Sequence, residues 1–281
     1  MSTCRIVLCA DDYAMSAGVS RGILELARAG RVSATSVMAN VPGWPEHARE
    51  LADVEGRIGI GLHLTLTWGA PLGAMPRLAP DGVLPSLGRV IRAALTGAVR
   101  DAEIAGEIER QLDAFEAALG RAPDFVDGHQ HVHALPGIRD SLLRVLSGRG
   151  LSGRLWLRDP ADGPRAILRR GVAAGKALTV AALSAGLGRA ARRAGFATNR
   201  GFSGFSPFDP ARDPGADMAR FLLAPGPAHL VMCHPGHLAL GETLDGIADA
   251  RARELAYLAS DAFPALLRER GMELAPAPGL T

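Results

Sequence analysis

Four apolar runs in this 281-residue chain end directly in residues that bind metals or move protons. RIVLCA runs into Asp11 and Asp12, RIGIGL into His63, FV into Asp127, Gly128 and His129, and HLVMC into His234, Pro235, Gly236 and His237. A lone Asp-Asp pair is commonly a helix cap with a turn residue, and a lone histidine in an apolar run is commonly a core side chain. The run Asp127-Gly-His129-Gln-His131-Val-His133 is harder to read as passive, because imidazoles at alternate positions beside a carboxylate either bind a metal or repel one another when protonated. An extended segment would put His129, His131 and His133 on one face. Two histidines and one carboxylate from different strands leave coordination positions free for water and substrate, whereas structural zinc is closed by four ligands and favours cysteine. That is the pattern of a catalytic metal site. His47 and His229 read as structural.

Something must bring these strand ends together. β-rich apolar runs at 5–10, 32–39, 58–64, 125–127, 155–158, 229–233 and, more weakly, 272–274 alternate with helical patterns at 17–28, 44–52, 101–119, 137–146 and 244–267. This alternation is the layout of a parallel sheet or barrel, in which the carboxyl ends of the strands share one rim and the active site is assembled there. The 101–119 helix is the clearest: Ile104, Ile108, Leu112, Phe115 and Leu119 mark one face, and Glu103, Glu107, Glu109 and Arg110 mark a face read as solvated. The Pro/Gly-rich stretches 69–88 and 202–215 read as long loops. With no internal repeat or linker, the expectation is one domain over 1–281.

Composition excludes several classes. Thirty-one basic and 29 acidic residues leave a net charge of +2, so no overall field would hold the chain on nucleic acid, and no aromatic platform for single strands is evident. The basic group Arg189, Arg192 and Arg193 reads as a solvated helix face. No Walker A loop or strand-linked G-x-G-x-x-G occurs. Three widely spaced cysteines and a start that enters a strand at once, without a secretory signal, point to a reducing, cytoplasmic setting. The Ala-rich stretch 171–188 carries Lys176 and glycines and reads as a buried or interfacial helix, not a span, leaving a peripheral membrane contact or a dimer contact open.

The segments CADDYAMSAGVSRGILE, IGLHLTLTWGAPL, DFVDGHQHVHALP, TNRGFSGF and VMCHPGH, in this order and spacing, resemble the YdjC-type carbohydrate deacetylases, the family of chitooligosaccharide deacetylase and the hopanoid-associated HpnK proteins. The resemblance covers about 5–237. It implies an α/β fold, an irregular TIM-like (β/α) barrel, with one divalent metal ion (zinc or magnesium, with manganese or cobalt as alternatives). The reaction implied is hydrolytic removal of an N-acetyl group from an amino sugar, on an oligosaccharide or a lipid-linked glycan. By the same resemblance Asp12, His63 and His129 are metal ligands, Asp11 the general base and His234 the general acid. Arg158 matches the cation beside Asp11, while His131, His133, Asn199 and Phe202 fall near substrate or behind the ligands. The opening here is Cys9-Ala10-Asp11-Asp12-Tyr13 where the family has Asn-Ala-Asp-Asp-Phe, and the Ala/Arg-rich 162–194 segment departs most. A phosphoesterase on a related barrel and a non-catalytic sugar-binding barrel are the competing readings; the former tends to use two metals, and the latter would require neither Asp11 nor His234.

Overall fold

Strands and helices alternate along residues 3–238 and 246–279, the part of the chain that the computed structural model describes. The strands are β1 (Cys4–Tyr13), β2 (Ala34–Val37), β3 (Gly59–Leu64), β4 (Phe125–Gly128), β5 (Trp156–Leu157), β6 (Ala197–Thr198), β7 (Phe202–Ser203), β8 (His229–Cys233) and β9 (Met272–Leu274). Between them lie α1 (Ala17–Arg28), α2 (Trp44–Glu50), α3 (Leu87–Leu95), α4 (Asp101–Leu119), α5 (Ile138–Gly148), α6 (Pro164–Arg170), α7 (Ala174–Leu183), α8 (Leu187–Arg193), α9 (Pro214–Phe221), α10 (Ala248–Ala259) and α11 (Ala262–Glu269). Every pairing between these strands is parallel, in the order β6-β5-β4-β3-β2-β1-β8-β7, with β9 added to β1.

Strands β6 and β7 stand at opposite ends of that order, yet only residues 199–201 separate them in the chain. A link that short spans at most about 14 Å fully extended. The sheet must therefore curl until its two edges nearly meet, which makes it an irregular (β/α) barrel with one unpaired seam. Alternation along β1 sorts the core. Ile6, Leu8 and Ala10 join the large cluster that includes Ile23, Leu26 and Leu62, while Val7 and Cys9 join a smaller one with Phe125, Trp156, Phe202, Leu230 and Met232. In that smaller cluster Phe125 and Trp156 stack at 4.3 Å. Glycine is required where the chain leaving β7 lies against β8: Gly204, at φ +107°, has the Met232 carbonyl oxygen 2.1 Å from where a Cβ would stand.

Several expectations change in detail. Strands β6 and β7, two residues each, were not legible as strands, and the 202–215 stretch holds β7 and leads into α9. The 244–267 helix is two helices, α10 and α11, parted at Ser260 and Asp261, and positions 244 and 245 fall outside the described residues. The 171–188 stretch is likewise broken, into α7 and the start of α8, and no helix among the described residues is long and apolar enough to cross a membrane. Glu107 is not on a solvated face. It is fully buried, accepting from the Leu72 amide (2.9 Å), from Arg110 (3.0 Å) and from Gln111 (2.9 Å), so its carboxylate satisfies the backbone of the 69–88 loop. Arg189, Arg192 and Arg193 are exposed as expected.

His229 is structural, as its sequence context suggested. It is buried at the start of β8, with Nε2 2.9 Å from the Ser203 hydroxyl and Nδ1 accepting from the Gly226 amide at 3.3 Å. Burial, with Arg170 nearby, lowers this imidazole to about 4. An unfolded chain binds a proton here near the ordinary value of about 6.5 while the folded chain refuses it. The stabilisation is thus complete above about 6.5 and is lost as pH falls toward 4, by up to about 3 kcal/mol. His229→Gln is expected to flatten the dependence of the urea midpoint on pH between 6.5 and 4.5; an unchanged slope would contradict this account.

Candidate metal centre and its cleft

Consecutive residues of a regular strand point to opposite faces, so Asp11 and Asp12 can serve one site only if β1 departs from regularity. It does: the β1–β2 register breaks between Ala10 and Tyr13, and Asp12 sits at φ +70°, a left-handed conformation that Asp tolerates better than most residues. The remaining groups leave the same rim. His63 and Asp127 are direct register partners on β3 and β4, His129 follows β4, Arg158 follows β5 and His234 follows β8.

One ligand atom each from Asp12, His63 and His129 lies within 4.8 Å of the others, a set fit to hold a metal ion. Asp12 Oδ1 is 3.2 Å from His63 Nε2 and 2.9 Å from His129 Nδ1, and Asp12 Oδ2 accepts from Arg251 at 2.6 Å. Burial works to raise the Asp12 carboxyl, but Arg251 and the two imidazoles hold it well below the usual carboxylate range. Behind His63, Asp127 Oδ1 meets Nδ1 at 2.6 Å and the Ser36 hydroxyl lies 2.9 Å from the same nitrogen. This carboxylate–histidine arrangement fixes the ring so that Nε2 faces the ligand corner.

Burial alone would lower the His63 imidazole; the carboxylates around it, Asp127 foremost, raise it to about 10. A divalent ion that takes Nε2 therefore displaces a proton. Calorimetry near pH 7.5 in two buffers of different ionisation enthalpy is expected to show about one proton released per ion bound, and a binding heat independent of buffer would contradict the assignment.

Beside this corner Arg158, fully buried, forks onto Asp11 with both distances 2.6 Å, and its Nη2 also reaches Asp127 Oδ2 at 2.6 Å. Burial opposes its charge, yet the two carboxylates raise the guanidinium well above its ordinary value. A second group of donors, Cys9, Asp11 and Asp127, lies within 4.8 Å, but its carboxylates are those that Arg158 binds.

The sequence-predicted histidines do not share a face. Gly128 ends β4 and the chain turns into a 3₁₀ segment, His129–Ala134, with Gln130 and His131 at positive φ. His129 goes to the ligand corner, and His131 lines the cleft between the edges of Phe202 and Phe205. His133 points away and donates from Nε2 to the Arg158 carbonyl at 2.8 Å. Phe202 is buried beneath, with Arg158 over its ring at 5.9 Å. Asn199 is not at the ligand corner: its side chain accepts from the Asp159 amide (2.7 Å) and donates to the carbonyls of Asp159 (2.9 Å) and Gly201 (3.0 Å). It clamps the backbone that follows Arg158.

His234 lines the cleft with the Phe208 ring edge-on at 5.4 Å, and its backbone amide donates to Glu254 at 2.7 Å. Burial pushes its imidazole down to about 4, against the pull of Asp12 and Asp11. At neutral pH it is an uncharged ring, so it must gain a proton before it can give one. The cleft, about 490 Å³, has these polar groups at one corner, and Trp68, Leu87, Ile91, Leu135, Val180 and Leu183 form an apolar wall. Arg251 and the positioning role of Asp127 were missed from sequence. The first lies in a helix with no distinguishing motif, and the second stood in the histidine run without a partner to assign it to.

The sequence profile of the YdjC-like protein family matches residues 5–269. The chain is similar to a chitooligosaccharide deacetylase of Serratia marcescens, 37% identical over 151 residues, which cover 53% of this chain and 58% of that protein. It is also similar to a carbohydrate deacetylase of Homo sapiens, 35% identical over 173 residues, 56% of this chain and 53% of that one. The matches thus span little more than half the length of these relatives. Among solved structures, a protein of Enterococcus faecalis V583 named for cellobiose-phosphate cleavage superposes with a TM-score of 0.72 at 21% identity, covering 98% of this chain and 97% of that one. A peptidoglycan N-acetylglucosamine deacetylase superposes with a TM-score of 0.51 at 12% identity, covering 97% and 86%. At such identities the likeness is one of fold.

Proposed function

The chain belongs to the YdjC-like protein family, and on that premise we propose that it is a metal-dependent carbohydrate deacetylase that removes the N-acetyl group of an amino sugar as acetate. The observation that carries this reading is the convergence on one cleft of three ligand donors, a guanidinium-held carboxylate and an uncharged imidazole. Asp12, His63 and His129 would hold a divalent ion, and two nitrogens with one oxygen suit zinc while leaving magnesium, manganese and cobalt as alternatives. Such an ion polarises a carbonyl and acidifies a bound water.

Asp11, oriented by both arms of Arg158, takes the proton as water attacks the acetyl carbon. His234, neutral at rest, passes a proton to the departing nitrogen, and the proton it passes is the one Asp11 removed. Water and amide thus become acetate and amine with both catalytic groups restored. His131, lining the cleft with a buried Nδ1 that has no hydrogen-bond partner among the described residues, offers a contact for substrate or water. The apolar wall favours an amino sugar with an apolar or lipid aglycone over a free oligosaccharide, and a peripheral membrane contact would follow from that. We read 1–281 as one catalytic unit, and the free cysteines support a reducing, cytoplasmic setting. Arg158 on the carboxylates of the second donor group weighs against a two-metal phosphoesterase.

The test is acetate release from N-acetylglucosamine, its oligomers and an N-acetylglucosaminyl lipid, using metal-stripped protein and each divalent ion returned in turn. Metal-restored acetate supports the proposal. Silence on every substrate despite a bound ion would favour the phosphoesterase or binding reading.

A further inference from the structure

Thirty of the chain's 31 basic side chains are arginine, and the one lysine is Lys176. It stands in the first turn of α7 and lines the cleft together with His131 and His234. Its Nζ rests 4.5 Å from the centroid of Phe208, the ring that also meets His234. Each carboxylate lining the cleft among the described residues is already matched by a guanidinium, Asp11 by Arg158 and Asp12 by Arg251. Lys176 makes no ion pair among the described residues. Its charge acts instead on His131 and His234, two imidazoles that burial chiefly, and this ammonium in part, hold unprotonated. Partial burial also lowers the ammonium itself, as expected for a cation that has lost water without gaining an anion.

We infer that Lys176 docks an anionic group, phosphate or carboxylate, carried by the substrate close to its acetamido group. A compact ammonium serves as a point charge for a single anionic oxygen, which a forked guanidinium does less simply. The carbohydrate identity of the substrate rests on the deacetylase reading; the anion site does not.

Three compounds decide it: neutral N-acetylglucosamine, N-acetylglucosamine 1-phosphate and N-acetylmuramic acid, the last two placing phosphate and carboxylate at different positions on the same ring. Lys176→Met is expected to lower the ratio of kcat/KM for an anionic over the neutral compound about ten- to hundredfold, with Lys176→Arg restoring part of it. Whichever anion shows the larger drop identifies the group and its position. An equal loss on neutral and charged compounds would overturn the inference. A second readout does not need turnover: selective labelling of lysine gives a single side-chain resonance, whose titration midpoint is expected to rise with either anion and to stay in place with N-acetylglucosamine. If no compound releases acetate, the deacetylase reading fails, and a lysine midpoint unmoved by both anions would defeat this inference by itself.

Discussion

Asp11→Asn is expected to keep its metal and to turn over about 10²–10⁴-fold more slowly than the parent. The amide has nearly the shape of the carboxylate but cannot take a proton from water at neutral pH, so on the proposed mechanism the chemical step loses its base while Asp12, His63 and His129 are untouched. The substitution also turns an N–H donor toward one arm of Arg158, whose two arms had both donated to the carboxylate. Arg158 keeps Asp127, so a stability loss of about 1–3 kcal/mol is expected and not unfolding. Metal content measured beside acetate release separates the two effects. Turnover within a few-fold of the parent, with metal bound, would remove Asp11 from the base role.

Arg158→Met should be the more damaging change to the fold. It strips a buried cation from two buried carboxylates, and breaking a buried pair by deleting one partner costs about 3–5 kcal/mol, because the surviving charge stays out of water. For a chain of this size that corresponds to a fall in Tm of roughly 6–20 °C. Activity should fall with it even at temperatures where the variant is folded, since Asp11 loses both guanidinium contacts, keeping only the Ser36 hydroxyl at 3.4 Å, and His63 loses support through Asp127. Arg158→Lys, which can reach one carboxylate oxygen but cannot fork, should recover stability more than turnover. A melting temperature within about 2 °C of the parent would mean that the two carboxylates find compensation elsewhere.

The residues of the ligand corner were legible because they stand where apolar runs stop, and a parallel barrel leaves its strand ends on one rim. Asp12, His63 and His129 needed only that rule and the family resemblance to be brought together. The spacing of His129, His131 and His133 misled, since alternation implies a shared face only if the backbone stays extended, and positive φ at Gln130 and His131 sends the rings in three directions. Strands β6 and β7 escaped notice because two residues of ladder leave no periodicity to read. Glu107 looked like any exposed helix carboxylate, and its burial depends on a loop that crosses it from 35 positions away. The uncharged state of His234 is likewise a property of its packing, which no motif encodes.

The seam between β6 and β7 has a consequence for how the molecule breathes. Everywhere else around the barrel an opening must break ladder bonds, but here the two edges are joined by a short covalent link and by the side chain of Asn199. Sub-global opening starts where the fewest backbone bonds resist it, so amide exchange should enter the barrel at this point. The first amides reached are those of β6 and β7, and beside them that of Asp159, bonded to the Asn199 side chain at the end of β5 next to Arg158. The guanidinium that orients Asp11 is therefore anchored next to the least protected edge of the sheet, which couples the placement of that carboxylate to the local stability of residues 199–201.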